Sequence, residues 1–166
     1  IVLDEAAADI ARRLKSALPN CDLHGLAKRV AESEVPFADT MAHLAKLFQG
    51  GTPIVGFCAS GILIRGVSPC LSDKHNEPPV IAVSTEFAVP LLGGHRGANK
   101  LAQQIATILG LQAAVTTSGD TRLGFGLDDP PAGWKISNID AAKPIVAALL
   151  AGEKVRLDDP LHLADW

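Results

Sequence analysis

The chain has 166 residues, a formal net charge of −3 and three cysteines without CxxC spacing, so nothing indicates a nucleic-acid-binding surface or a disulfide framework. No apolar run reaches the roughly 18 residues that span a bilayer, and no signal peptide is visible. We therefore predict a cytoplasmic protein without nucleic-acid or membrane contacts. Apolar residues make up 48% of the chain and aromatic residues 4%, which favours the aliphatic core of a helix-covered sheet.

In chain order, the first half of the sequence alternates apolar runs with amphipathic segments. It begins with Ile1-Val2-Leu3 and not with a Met. These residues have the pattern of the end of a strand, and we expect the natural start of the chain to precede them. Asp4 can cap a first helix, and Asp39 or Thr40 a second that Gly50-Gly51 ends, because the side-chain oxygen accepts a bond from the first turn. The predicted strands cover 1–3, 21–23 and 54–58, the predicted helices include 40–47 and 62–71, and 36–37 is a predicted loop.

The second half predicts strands over 80–83, 87–92 and 113–116 and helices over 99–109 and 141–150, the last capped by Asp140. Strands that alternate with helices favour an α/β fold of three layers, with a mostly parallel sheet and helices on both faces. The composition then shifts toward Gly, Asp and Pro. We accordingly predict an α/β domain over 1–122 and an appended segment, linker or second-domain start over 123–166.

Three polar loops that follow apolar strands carry the candidate binding residues. In an open α/β sheet, ligands bind beyond the carboxyl ends of the strands, so parallel strands would bring all three loops to one edge. An antiparallel strand before Gly93 would weaken that convergence. Glycines allow a close backbone approach, helix starts favour anions, and arginines can bind carboxylates with two hydrogen bonds, so we expect a ligand rich in carboxylates or phosphates. The candidates are Ser60, Gly61 and Arg65 in the first loop, Gly93, Gly94, His95, Arg96, Gly97 and Asn99 in the second, and Thr116, Thr117 and Asp120 in the third.

These loops also have plain structural interpretations. Gly93-Gly94 fits a tight strand-to-helix turn, Arg65 a solvated cation, and Asp120 a turn cap. The sequence contains neither GxGxxG nor a Walker A motif, which argues against a nucleotide-binding protein, and its histidines lack metal-ligand spacing, so we predict no metal site. His95 is the candidate catalytic residue, because a neutral imidazole can act as a general base or as a hydrogen-bond donor.

Three stretches of the chain, residues 57–65, 90–102 and 115–120, resemble in order and spacing the motifs of the amino-terminal domain of the cobalt-precorrin-5A hydrolase family. Ser68-Pro69 and Asp73-Lys74 extend the first of these motifs. The resemblance implies a role in cobalamin biosynthesis and a precorrin or cobalt-precorrin ligand, a tetrapyrrole fringed with carboxylates. It also implies opening of the δ-lactone of cobalt-precorrin-5A with release of acetaldehyde. For that reaction, our hypothesis is that His95 acts as base or polarising donor.

The second motif is one residue shorter than is usual in that family, with only Gly97 between Arg96 and Ala98. With residues 126–131 and Trp134, this resembles a branch in which the domain is fused ahead of a precorrin-3B C17-methyltransferase. That resemblance implies a fused or associated methyltransferase domain that uses S-adenosylmethionine, and no cofactor in this chain. Cobalt-precorrin-5A hydrolysis and a non-catalytic interaction module remain the alternatives, and a homodimer is left open.

Overall fold

The computed structural model describes residues 1–116, 127, 135–156 and 158, and its contacts divide the chain into two units, Ile1–Ala114 and Val115–Trp166. In the second unit, a 3₁₀ turn at Ile139–Ala141 precedes helix α5, Ala142–Leu150. The predicted division at residue 122 stays a prediction. The first unit contains, in chain order, α1 Glu5–Ala17, β1 His24–Leu26, β2 Val35–Phe37, α2 Thr40–Gln49, β3 Ile54–Gly56, α3 Ser60–Val67, β4 Val80–Val83, β5 Phe87–Leu92, α4 Ala98–Leu109 and β6 Gln112–Ala113.

Val2 joins two groups of strands in the first unit. One group is the pair β1–β2, and the other is a four-stranded sheet in the order β3-β4-β5-β6. Val2 forms parallel bridges both to Gly25 in β1 and to Phe57, which directly follows β3. The pairs β1–β2, β3–β4 and β5–β6 are parallel, and β4–β5 is antiparallel. The predicted mostly parallel sheet is therefore confirmed, with one reversal of direction at β5.

Helices cover both faces of the four-stranded sheet, so the predicted three-layer fold is confirmed. On one face, Leu44 of α2 and Leu63 of α3 are fully buried against Val80 of β4. On the other face, Ile105 of α4 packs with Ile81, the next residue of β4, because successive strand residues point to opposite faces. Burial of each such side chain stabilises the fold by about 1.5–3 kcal/mol.

The first two helices begin where the sequence provides a capping carboxylate. The Asp4 carboxylate accepts a 2.9 Å hydrogen bond from the N–H of Ala7 in α1. The Asp39 carboxylate accepts bonds of 2.8 and 3.0 Å from the N–H groups of Met41 and Ala42 in α2. Both predicted caps are therefore confirmed. Within the part of the chain that the structure describes, no helix combines the length and the apolar character needed to cross a membrane.

Several element predictions were wrong in detail. Residues 36–37, predicted as a loop, form part of β2. A proline is tolerated there because β2 is an outer strand of the two-stranded sheet β1–β2. Helix α3 ends before Pro69, which lies in a 3₁₀ turn, whereas the prediction continued to residue 71. Asp140 does not cap α5, because it lies inside the preceding turn and the capping position is Ala141.

Candidate functional site

The three candidate loops do not meet at one edge of the sheet. β4 runs parallel to β3, but β5 runs back along β4, so that Leu92 at the end of β5 pairs with Val80 at the start of β4. The first loop, with Ser60, Gly61 and Arg65, therefore lies at the opposite edge from the loop after β5. The condition for convergence, parallel strands, is not met between β4 and β5, and the antiparallel alternative holds.

The signal for this reversal was present in the sequence. Only Ser84, Thr85 and Glu86 separate β4 from β5. A parallel connection needs about a dozen residues or more, so a link of this length requires an antiparallel hairpin. Ser84 closes that hairpin, because its hydroxyl oxygen accepts a 2.9 Å hydrogen bond from the N–H of Phe87.

The first loop is arranged as the start of a helix. Ser60 is the exposed first residue of α3, and Gly61 follows it in the first turn. The Arg65 guanidinium is exposed and turns back along the helix, where Nη1 donates a 3.0 Å hydrogen bond to the carbonyl of Gly61. This geometry agrees with the plain structural interpretation of Arg65 as a solvated cation at the far edge of the sheet.

The second loop depends on two glycines in the left-handed conformation. Gly93 has φ +77° and Gly97 has φ +87°, and between them Gly94–Arg96 forms one 3₁₀ turn before α4. A Cβ atom on Gly93 would lie 2.5 Å from the backbone nitrogen of Pro79. Gly93 is therefore needed both for its backbone angle and for its contact with the segment before β4.

The second loop packs against the segment that leads into β4. We call residues 72–79 and 93–99 the paired loops. The Arg96 guanidinium donates a 3.3 Å hydrogen bond from Nη1 to the carbonyl of Asn76. Together with the contact between Gly93 and Pro79, this bond brings the end of the first motif, Asp73-Lys74, to the same edge as the second motif.

Two histidines meet where the paired loops meet. The ring centroids of His75 and His95 are 4.6 Å apart, with the ring planes tilted by 31°. His75 is exposed, and His95 is half-buried. The Asp73 carboxylate accepts hydrogen bonds from the N–H of His75 and from Nδ2 of Asn76, at 3.0 and 2.7 Å, which orders the loop around His75. Sequence reasoning missed His75, because its contact joins residues from different loops and no local pattern marks it.

Of the candidate residues in the third loop, the structure describes only Thr116. Thr116 is exposed and belongs to the second unit. Thr117 and Asp120 lie outside the described residues, as does Trp134. Their assignment as ligand-binding residues therefore stays a prediction.

A cavity of about 480 Å³ lies among α1, the segment at 18–24, β3 and α4. Ile54 at the start of β3 lines it, and the N–H of Ile54 donates a 2.8 Å bond to the carbonyl of Pro79, the residue against which Gly93 packs. Leu14 of α1 and Leu101 of α4 contribute further apolar walls. This volume falls in the range of roughly 300–1,000 Å³ typical of small-molecule sites.

A second histidine pair lies among β1, β2 and α2. Nδ1 of His24 and Nε2 of His43 are 2.8 Å apart, and the Phe37 ring stacks on His43 at 4.6 Å with a 4° interplanar angle. Burial is the main cause that lowers the pKa of both imidazoles. Among the residues that the structure describes, no three histidine, cysteine, aspartate or glutamate side chains are grouped to hold a metal ion.

Fold and loops together define a three-layer α/β protein with a glycine-rich, arginine-bearing loop pair at one sheet edge. Comparison with known proteins agrees with this α/β class and indicates a resemblance to one family within it. Residues 42–120 match the family model described as cobalamin synthesis G N-terminal, a segment that includes both paired loops. Over this segment the chain resembles that family, so the resemblance of its motifs is confirmed.

Two curated relatives are cobalt-precorrin-5A hydrolases. The chain is 31% identical to that of Salmonella typhimurium over 123 residues, which cover 72% of this chain and 35% of the relative. It is 24% identical to that of Priestia megaterium over 128 residues, which cover 74% of this chain and 34% of the relative. The chain thus spans about a third of the length of these relatives.

A solved structure shares the fold. It is that of a cobalamin biosynthesis protein G homolog from Sulfolobus solfataricus, with a TM-score of 0.50 and 23% sequence identity. The match covers 96% of this chain and 50% of that one. It supports the α/β architecture described above.

Proposed function

We propose that this domain binds a precorrin or cobalt-precorrin at the paired loops, as part of an enzyme of cobalamin biosynthesis. The observation that carries the proposal is the junction of the two loops, where Arg96 holds the carbonyl of Asn76 and Gly93 packs on Pro79. Both loops fall inside the segment that matches the family. The names of the curated relatives support cobalt-precorrin-5A or a related intermediate as the ligand.

The chemistry of the loops suits such a ligand. A tetrapyrrole intermediate carries acetate and propionate carboxylates around an apolar macrocycle. Arg96 can bind a carboxylate with two parallel hydrogen bonds, and Lys74, which is exposed on the neighbouring loop, adds positive charge. Ser60, Gly61 and Arg65, at the opposite edge, are not part of this proposed site.

The finer form of the proposal places this domain ahead of a precorrin-3B C17-methyltransferase. The shortened second motif, with Gly97 alone between Arg96 and Ala98, supports this arrangement. S-adenosylmethionine would then bind to the domain that follows, and the paired loops would hold the macrocycle for it.

A second candidate function is hydrolysis of cobalt-precorrin-5A, which the names of both curated relatives favour. In that reaction a water molecule adds to the lactone carbonyl, the ring C–O bond breaks, and the proton lost by the water is returned to the leaving oxygen. His95 would accept and return this proton, since its ring stands beside Arg96 at the junction of the loops. The backbone N–H of Gly94 would stabilise the oxyanion, whereas the N–H groups of Arg96, Gly97 and Ala98 already donate to the carbonyls of Gly93 and Gly94.

The test is an absorbance titration of the protein with precorrin-3 and with cobalt-precorrin-5A, together with an assay for acetaldehyde. Arg96→Ala should weaken binding about 10- to 100-fold, the usual effect of losing a hydrogen bond to a charged group. Arg65→Ala is the matched control, because the same residue type is removed at the opposite edge of the sheet, and it should leave the affinity unchanged.

Each outcome separates the candidates. Binding without acetaldehyde supports the domain as the ligand-holding part of a larger enzyme. Binding with acetaldehyde release that His95→Ala abolishes supports the hydrolase. A loss in Arg65→Ala equal to that in Arg96→Ala would contradict the location of the site, and absence of binding to either compound would leave the non-catalytic interaction module.

A further inference from the structure

His75 belongs to none of the sequence motifs, and the proposed function assigns it no role. It comes from the loop before β4, whereas His95 comes from the loop after β5, and the hairpin between these strands brings the two imidazoles to a centroid distance of 4.6 Å. The two residues therefore share a surface only in the folded domain.

The backbone on either side of His75 is ordered by two separate contacts. On its own loop, the Asp73 carboxylate accepts the N–H of His75 and a side-chain N–H of Asn76. From the other loop, Arg96 donates to the carbonyl of Asn76. The consecutive residues His75 and Asn76 thus face the consecutive residues His95 and Arg96, which fixes the alignment of the paired loops.

His75 and Arg96 are exposed and present polar groups toward solvent, whereas Nδ1 of His95 is buried. An imidazole carries both a ring N–H donor and a ring nitrogen acceptor, and a guanidinium carries five N–H donors. The His75 imidazole and the Arg96 guanidinium can therefore contact neighbouring carboxylates of one ligand. The ring of His75 is exposed, so ring packing alone does not require its nitrogen atoms.

We infer that His75 is a second ligand-binding histidine of this site, which donates a hydrogen bond to a carboxylate of a polycarboxylate macrocycle beside His95. The inference rests on the proposed function, because it assigns a residue to the same ligand. It adds a group from the loop before β4 to a site otherwise built on the loop after β5. The ligand class it selects is a macrocycle with carboxylates on adjacent ring substituents, as opposed to one with a single carboxylate.

The experiment measures the affinity for cobalt-precorrin-5A of the wild-type chain and of His75→Phe, His75→Ala and His95→Ala. His75→Phe keeps an aromatic ring against His95 but removes both nitrogens, so we expect about a 10-fold loss of affinity, similar to that in His75→Ala. His43→Phe is the control, since it makes the same substitution outside the paired loops and should bind as the wild type does. Thermal unfolding checks that each variant is folded.

The outcomes distinguish this inference from the proposed function. If the wild type binds and His95→Ala is weakened while His75→Phe is not, the role of His75 is refuted and the site stands. Normal binding by His75→Phe with weak binding by His75→Ala would show that the ring only supports His95. This result would also refute the ligand-binding role of His75. If the wild type does not bind, the proposed function and the inference both fail. In wild-type protein, ligand addition should also move the ¹⁵N resonances of the His75 ring, and unchanged resonances with bound ligand would overturn the inference.

Discussion

Replacement of Gly93 by alanine tests the contact that holds the paired loops together. The added Cβ atom would lie 2.5 Å from the nitrogen of Pro79 and 2.6 Å from its Cα. Both atoms belong to the backbone, so no side-chain rotation can relieve the overlap. The residue would also keep the left-handed φ of +77°, which an L-amino acid with a side chain adopts only at a cost.

The expected magnitude follows from these two effects. The left-handed conformation costs a non-glycine residue about 1–2 kcal/mol, and forcing an extra methyl group into a closed contact costs about 1–3 kcal/mol. Gly93→Ala should therefore lower the free energy of unfolding by about 2–5 kcal/mol. This is a large part of the roughly 5–15 kcal/mol that stabilises a typical domain.

Two neighbouring glycines supply matched controls. Gly97 has φ +87° but no atom within 4 Å of an added Cβ, so Gly97→Ala should cost only about 1–2 kcal/mol. Gly94 has neither a left-handed φ nor a close neighbour, and Gly94→Ala should change stability by less than about 1 kcal/mol. Urea unfolding followed by circular dichroism measures all three. Equal losses in Gly93→Ala and Gly97→Ala would refute the contact with Pro79.

Three further predictions concern the rest of the first unit. Because burial lowers the pKa of His24 and His43, the unfolded chain binds more protons than the folded one, and the free energy of unfolding should fall as the pH drops below about 6.5. Urea midpoints at about pH 7.5 and 5.5 test this, and a fall as large in His43→Phe as in the wild type would contradict the assignment to this pair. Leu44→Ala should cost about 2–5 kcal/mol, because the fully buried side chain leaves a cavity between α2 and the sheet, and a loss under 1 kcal/mol in urea unfolding would argue against that packing. Asp39→Ala should cost about 1 kcal/mol through loss of the two bonds that cap α2, whereas Asp39→Asn should retain most of the stability in a thermal melt.

The first two helices and their caps could be predicted because their signals are local. Asp4 and Asp39 stand directly before amphipathic segments, and both cap helices as expected. The central strand was also predictable, since the apolar run at 80–83 lies in a fully buried strand, whereas the strand predicted at 21–23 lies instead at His24–Leu26 and the one predicted at 113–116 is Gln112–Ala113. The apolar run of β5 does not indicate the direction of the strand, because such a run has the same pattern in both orientations, and only the short link at 84–86 indicates a hairpin.

The composition of the candidate site was only partly predictable. The glycine turn around His95 followed from the sequence, and the positive φ of Gly93 and Gly97 gives it a physical basis. The contact with the loop at 72–79 could not be predicted, because Arg96 donates to a carbonyl 20 residues earlier in the chain and such a contact has no local sequence pattern. Arg65 and Arg96 each follow an apolar strand, which predicts a shared site only for parallel strands, and the reversal at β5 puts Arg65 at the other edge of the sheet.

The bridges formed by Val2 affect how the first unit unfolds locally. Val2 is fully buried but forms only isolated bridges, so among the described residues β1 and β2 are attached to the larger sheet through few backbone hydrogen bonds. These include the bond from Val2 N–H to the carbonyl of His24 and the bond from Leu26 N–H to the carbonyl of Val2. Sub-global unfolding starts at boundaries of this kind, where little backbone pairing has to be broken. The amides of β1 and β2 are therefore expected to exchange with deuterium as a group, ahead of those of β4, which is flanked by strands on both sides.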